Sequence, residues 1–387
     1  MKKAVQFGAG NIGRGFTGQL FSESGYEVVF IDVMETVISA LNTNKGYTIK
    51  IVGDNPKEIK IQNVRAVNSK DTAVVAEEVK SADILCTAVG VNILPKIAPL
   101  IAKGISFREK AGITQPLNII ICENLLDSSE HLRLWVKENC TCHEYVDKYV
   151  GMVESVVSRM IPVVPAEIRE KDPTIVFVEE YSVLPVDKKG FRGETPVIKG
   201  VIPQGNFKGY EERKLFIHNL GHSMYAYLGY LKGYEYIWQA VEDKKLVSIV
   251  TAALKESGTA LIKKHGFTQN DMDNHITDLF HRFQNKELGD TVARVGRDPL
   301  RKLGYNDRLI GSARTALSYG ITPENIAVGI AAALRYDNPA DPQAVELQKL
   351  VKTQSIAEVL NKFSSLPVDS AIIKLVTKTF FNLIKLL

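Results

Sequence analysis

No stretch of this chain approaches the roughly 20 consecutive apolar residues that a membrane-spanning helix needs, so a membrane partner is not expected. Internal repeats and low-complexity segments are absent as well, which removes solenoids, propellers and disordered tracts from consideration. Charge of one sign is scarce. The net charge is +4 over 387 residues, and the bases are interleaved with acids, so nucleic acid is offered no continuous stripe. Cysteine is scarce too. With 4 of them, disulfides do not organise the fold and a reducing compartment is expected. Cys140-Thr-Cys142-His143 has three ligand-type side chains, but no second cysteine pair or carboxylate cluster completes a four-ligand set, so no metal is expected. Met1 to Gly8 runs straight into a strand and a glycine loop. That leaves no room for the apolar core of a secretory leader, and a cytoplasmic location is the expectation.

What is present is ample apolar content, 45%, with 24% charged residues, the balance of a folded globular chain. The length is too great for one simple core and suggests two domains, with the boundary at the turn-rich segment Asp187 to Pro196, giving 1–195 and 196–387. In the first, the apolar strand Ala4 to Phe7 leads into Gly8-Ala9-Gly10-Asn11-Ile12-Gly13 and then a helical pattern. These glycines serve a tight turn, close approach of a pyrophosphate to the backbone, and close packing of helix on strand. Phe7, Gly8, Ala9, Gly10, Asn11, Ile12 and Gly13 are therefore candidate cofactor residues, with the phosphates at the helix N-terminus. The next strand, Glu27 to Ile31, ends at Asp32, near the spacing at which a carboxylate receives ribose hydroxyls; a carboxylate there repels a 2′-phosphate and favours NAD over NADP. Further strands are expected at Tyr47 to Ile51, Ile61 to Val67, Ala82 to Val89, Leu117 to Cys122, Tyr149 to Val156 and Thr174 to Val186, the last two extending the sheet. Alternation of strands and helices indicates a doubly wound parallel sheet with ligands at the strands' carboxyl ends, which puts Ala88, Val89, Gly90, Glu123 and Asn124 near the nicotinamide half of the cofactor.

From Tyr210 onward nearly every segment has helical periodicity. No proline interrupts Lys214 to Tyr230. At about 100° per residue, Asn219 lies roughly 140° and His222 roughly 80° around that helix from Lys214, so an amine, an amide and an imidazole can face one small molecule. A loop further on carries Arg294, Arg297, Arg301, Lys302 and Arg308, enough to clamp a phosphate or, equally, to form a solvated basic surface. The last helix, with Ile372, Ile373, Val376, Phe380 and Leu383 on one face, reads as docked on the core. Tyr210 with Lys214 matches the Y-x-x-x-K of short-chain dehydrogenases, but in those the pair sits in the nucleotide-binding domain and the glycine spacing differs.

These motifs, in this order, resemble the polyol-specific long-chain dehydrogenases over essentially the full length: Phe7 to Gly15, Thr87 to Gly90, Leu117 to Asn124, Glu212 to His222 and Arg294 to Leu303. The resemblance implies an α/β Rossmann-type doubly wound sheet with a C-terminal all-α domain, NAD as cofactor and no metal. It implies Lys214 as general acid/base, with Asn124, Asn219 and His222 binding and polarising the reacting oxygen. The expected substrate is a small-molecule sugar phosphate, mannitol 1-phosphate oxidised to fructose 6-phosphate, handled by a monomer or homodimer. Within the same family, reduction of a hexuronate such as tagaturonate or fructuronate is the alternative, since an arginine binds a carboxylate as readily as a phosphate. The chain departs from the family pattern at Ser158-Arg159-Met-Ile-Pro162, where an Asp-Arg pair is usual, and at Glu180-Tyr181-Ser182, near which a Trp is usual.

Overall fold

A computed structural model describes residues 1–387, which form two compact units, Met1–Phe207 and Lys208–Leu387. In the first, eleven strands follow in chain order: β1 (Lys2–Phe7), β2 (Tyr26–Asp32), β3 (Gly46–Ile51), β4 (Lys57–Gln62), β5 (Val64–Asn68), β6 (Ile84–Thr87), β7 (Leu117–Ile121), β8 (Val150–Glu154), β9 (Val176–Val178), β10 (Leu184–Asp187) and β11 (Val201–Gln204). Six of them make a parallel sheet in the order β5-β2-β1-β6-β7-β8. Counted within this sheet that is the 3-2-1-4-5-6 order of dinucleotide-binding folds, and its switch point lies between β1 and β6. Helices cover both faces, so the strands are apolar on both: Val28 and Phe30 of β2 pack with Leu20 and Tyr47, while Val29 and Ile31 pack with Val75 and Ile101 on the other side.

The structure departs from the sequence expectation at three places. Ile61 to Val67 is two strands, broken at Asn63, whose φ of 57° turns the chain; β4 pairs antiparallel with β3, and β5 returns to the main sheet beside β2. Thr174 to Val186 is also two strands, and neither joins the main sheet: β9 pairs with β3 and β10 with β11. Because β11 belongs with β10, the division between units falls at Phe207/Lys208 rather than 195/196. Local β-propensity marks a strand, but only non-local pairing decides which sheet receives it.

The second unit is helical. Its central helix, Glu324–Leu334, is buried from Ile326 onward, and its small residues allow close approach: a Cβ on Gly329 would lie 2.6 Å from Met224 Cγ of the helix Asn219–Leu231. Side-chain caps start the helices around it, with Asp243 accepting from Lys245 and Leu246 amides, Thr268 from Asp271, and Ser355 forming a reciprocal box with Glu358. The terminal helix Ala371–Leu386 buries Ile372, Ile373, Val376, Phe380 and Leu383. No helix is long and apolar enough to cross a membrane.

Candidate active site

In the first unit the glycine loop sits at the switch point. Gly8 has φ 92°, and a Cβ there would lie 2.3 Å from the Ala88 carbonyl oxygen; at Gly13 it would lie 2.0 Å from the Gly8 carbonyl oxygen. Both positions therefore require glycine, for the turn and for the close approach. Gly10 differs, being exposed with nothing within 4 Å of where a Cβ would stand. A side chain there would fill open space beside the backbone of Ala9, Asn11 and Ile12, the room a pyrophosphate needs, so these residues fit a dinucleotide. Phe7 contributes from below: its ring is fully buried, and its carbonyl accepts the Ala88 amide at 2.9 Å.

Asp32 ties the loop to the end of β2. Oδ2 accepts the Ala9 amide at 2.6 Å, and Oδ1 accepts the amides of Val33 and Met34 at 2.7 and 3.0 Å. A carboxylate has about four lone-pair positions, so ribose hydroxyls can still be received. On the other side of the switch point, Glu123 accepts Val89 N–H at Oε1 and Gly90 N–H at Oε2, both at 2.8 Å. Burial raises its pKa, against the opposing pull of those two amides. The sequence placed Glu123 near the nicotinamide half but not its pairing with the Val89 and Gly90 amides, for which an acid ending the apolar run Ile119 to Cys122 was the signal. Asn124 follows it, exposed.

In the second unit the helical run 207–231 is not uniformly α. Lys214–His218 is a π turn between Phe207–Arg213 and Asn219–Leu231, and the Asn219 amide donates to the Lys214 carbonyl. The angle of roughly 140° expected from α geometry does not apply: an i→i+5 turn sets Asn219 one turn above Lys214. His222 follows three residues later in α geometry, next along the same face. Its ring stacks on Phe283 with centroids 4.8 Å apart, and its Nε2 lies 3.1 Å from Asp290 Oδ2 without hydrogen-bond geometry. Burial, then Arg294, Arg308 and Lys302, push its pKa down to about 3, so the imidazole is neutral.

The basic segment lies on two short helices, Val292–Gly296 and Pro299–Lys302, and the turn after them. Tyr227, buried on the helix that carries His222, donates to the Gly296 carbonyl at 2.9 Å and fixes this segment to that helix. The five candidates are not equivalent. Arg294 is paired with Asp290, while Arg301 and Arg308 share Asp307 at 3.2 and 2.8 Å. Arg297 is exposed and makes no ion pair. Lys302 is 4% exposed and has no carboxylate partner; burial, then Arg308 and Arg301, bring its pKa down to about 7. Arg159, at one of the departures from the family pattern, is occupied by the protein itself: it donates to the carbonyls of Glu179 and Gly15 and to Gln19 Oε1. Nowhere do three or more His, Cys, Asp or Glu side chains gather as metal ligands.

The first unit is thus a doubly wound dinucleotide-binding fold, and the second an all-α domain whose helical run 207–231 carries the Lys214 amine, the Asn219 amide and a neutral His222 imidazole. Residues 2–200 match the mannitol dehydrogenase Rossmann domain and residues 206–383 the mannitol dehydrogenase C-terminal domain. The chain belongs to the mannitol dehydrogenase family. It is 42% identical over 371 residues to the mannitol-1-phosphate 5-dehydrogenase of Buchnera aphidicola subsp. Acyrthosiphon pisum (strain Tuc7), covering 95% of each chain. Among solved structures it is similar in fold to Pseudomonas fluorescens mannitol 2-dehydrogenase in ternary complex with NAD and D-mannitol (TM-score 0.75, 16% identity, 99% of this chain and 92% of that one). A substrate-free D-sorbitol dehydrogenase is similar as well (TM-score 0.82, 18% identity, 99% and 94%).

Proposed function

We propose that this protein catalyses the reversible NAD-dependent oxidation of D-mannitol 1-phosphate at C5 to D-fructose 6-phosphate, as a cytoplasmic monomer or homodimer. The observation that carries the reading is the π turn Lys214–His218, in which the Asn219 amide meets the Lys214 carbonyl one turn back and neutral His222 follows on the next turn. The substrate follows the name of relatives 42% identical over 95% of the chain.

An alcohol carbon gives up hydride readily only as its hydroxyl proton leaves. Bound NAD supplies the hydride acceptor; Gly8 to Gly13, Asp32 and the 88–90 loop would hold it. Lys214 Nζ takes the hydroxyl proton, and in the reverse direction returns it. Asn219 and Asn124 donate amide N–H groups to the developing alkoxide, and His222, neutral across the working pH range, donates or accepts without adding charge. Donors of this kind are worth about 3 kcal/mol each in the transition state. Lys302 receives the phosphate. A buried ammonium beside Arg308 and Arg301, whose charge Asp298 and Asp307 only partly offset, is costly, and a dianion bound beside it offsets that cost.

The test is a panel of ketose substrates with NADH and with NADPH, followed at the NADH absorbance. Fructose 6-phosphate is to be reduced with NADH at least a hundredfold more efficiently than tagaturonate or fructuronate. Preference for a hexuronate, or NADH binding with no turnover on any of them, overturns the proposal.

A further inference from the structure

We infer that Ser257 is a positioning residue for the proposed proton-transfer helix, holding the π turn in the register that aligns Lys214 with Asn219. The inference rests on the function proposed above and extends it to a residue remote in sequence.

Inserting one residue into an α-helix shifts the ladder from i→i+4 to i→i+5, and at the shift one carbonyl loses its amide partner. Such a turn persists only where something outside the helix compensates. Ser257, 1% exposed on the helix Lys244–His265, donates its hydroxyl to the Phe216 carbonyl at 2.8 Å, in the middle of the turn Lys214–His218. That is not the usual habit of a helical serine or threonine. Thr259 on the same helix bonds back to its own Lys255 carbonyl, and Ser223 to its own Asn219 and Leu220 carbonyls.

Packing holds Phe216 from a further side and brings the helix beyond the turn close to the serine's helix. A Cβ on Gly311 would lie 2.8 Å from the Phe216 ring, and one on Gly221 would lie 3.3 Å from Leu254 of the serine's helix. The first unit repeats the device. Its π turn Gly13–Thr17 lies in the cofactor helix, and buried donors reach two of its carbonyls from outside: Tyr47 Oη to Arg14 at 2.7 Å and Arg159 Nη1 to Gly15 at 2.9 Å. Each π turn thus coincides with a candidate ligand-handling segment and is held by a side chain far away in sequence. Without the Ser257 hydroxyl, the 214–218 turn relaxes toward α register. Asn219 then rotates away from Lys214, while the cofactor residues are untouched.

The experiment compares Ser257→Ala, Ser257→Thr and Ser257→Cys, with Thr259→Ala as the control on the same helix, using full-length protein, NADH and fructose 6-phosphate. For Ser257→Ala, kcat is expected to fall at least tenfold with NADH affinity within twofold of the parent, and the acid limb of the kcat–pH profile to move. Ser257→Thr, which keeps the hydroxyl, should recover most of kcat, and Thr259→Ala should match the parent. A Ser257→Ala protein with a lower melting temperature but the parent kcat and pH profile overturns the inference. If Ser257→Ala does not fold, Ser257→Cys, similar in size but a weak donor, is judged by the same criteria. Lys214→Ala, run alongside, separates the two levels: retained turnover there defeats the proposed proton transfer by Lys214, and no reduction of fructose 6-phosphate by the parent defeats the proposed function, whereas loss of turnover in Lys214→Ala combined with a normal Ser257→Ala defeats only this inference.

Discussion

Asp32 accepts the backbone amide of Ala9 at 2.6 Å, so the residue at the end of β2 also shapes the glycine loop that follows β1. The carboxylate therefore orients the loop, and in the proposed function it also receives a ribose. Asp32→Ala should raise the KM for NADH at least tenfold, about 1.4 kcal/mol, and narrow the preference over NADPH by removing the negative charge. Asp32→Asn keeps an acceptor for Val33 and Met34 and should lose less. Steady-state titration of both cofactors measures this, and an unchanged NADH KM in Asp32→Ala would contradict the assignment.

Glu123 makes the cofactor side pH-sensitive. Burial raises its pKa, so in the folded protein it gains a proton at a pH where the unfolded chain's glutamate is still ionised. In linkage terms the stability contributed by this group is fully present below the unfolded pKa and declines as pH rises through the folded one. Function runs the other way. Protonation removes one of the acceptors for Val89 and Gly90 N–H, so NADH affinity should weaken as pH falls through that raised pKa. Glu123→Gln, which sets an NH2 against one of those amides, should bind NADH several-fold more weakly with this acid limb gone. Fluorescence titration from pH 5 to pH 8 provides the comparison; parallel curves for the two proteins would count against the clamp.

Lys214→Ala should lower kcat by about a thousandfold or more and leave NADH binding within a factor of about two, because in the proposed mechanism the amine acts on the substrate and not on the cofactor. Stopped-flow reduction under single-turnover conditions reads the chemical step directly. Near-normal rates would remove Lys214 from the mechanism.

Lys302, brought down to about 7, should make substrate binding depend on pH near neutrality. Its folded pKa is depressed, so the unfolded chain holds the extra proton, and this residue's contribution to stability rises with pH between about 7 and 10.4. Phosphate binding favours the protonated form. The KM for fructose 6-phosphate should therefore climb as pH rises above 7, by up to about tenfold per unit, and Lys302→Arg should flatten the climb. A KM independent of pH in the parent protein would rule out Lys302 as the phosphate ligand.

Much of this protein is legible in the order of its residues. The glycine loop, the acid at the end of β2 and the apolar strands β6 and β7 announce the nucleotide fold, because each depends on steric and solvation requirements that act within a few residues. The helical character of the second half is legible for the same reason. Two kinds of information are not local. Strand propensity at Ile61 to Val67 and Thr174 to Val186 is correct as propensity, yet the sheet each strand enters was settled by partners more than a hundred residues away in the case of β3 and β9.

The π turns are the second case. An α and a π turn draw on the same residues and the same apolar spacing, and differ only in which amide meets which carbonyl. The chain by itself determined that Lys214, Asn219 and His222 share a helix. That the Asn219 amide meets the Lys214 carbonyl, that His222 is neutral beside Phe283, and that Lys302 is buried without an ion pair were decided by tertiary packing, because a hydroxyl 41 residues away and the burial of charge set their energies.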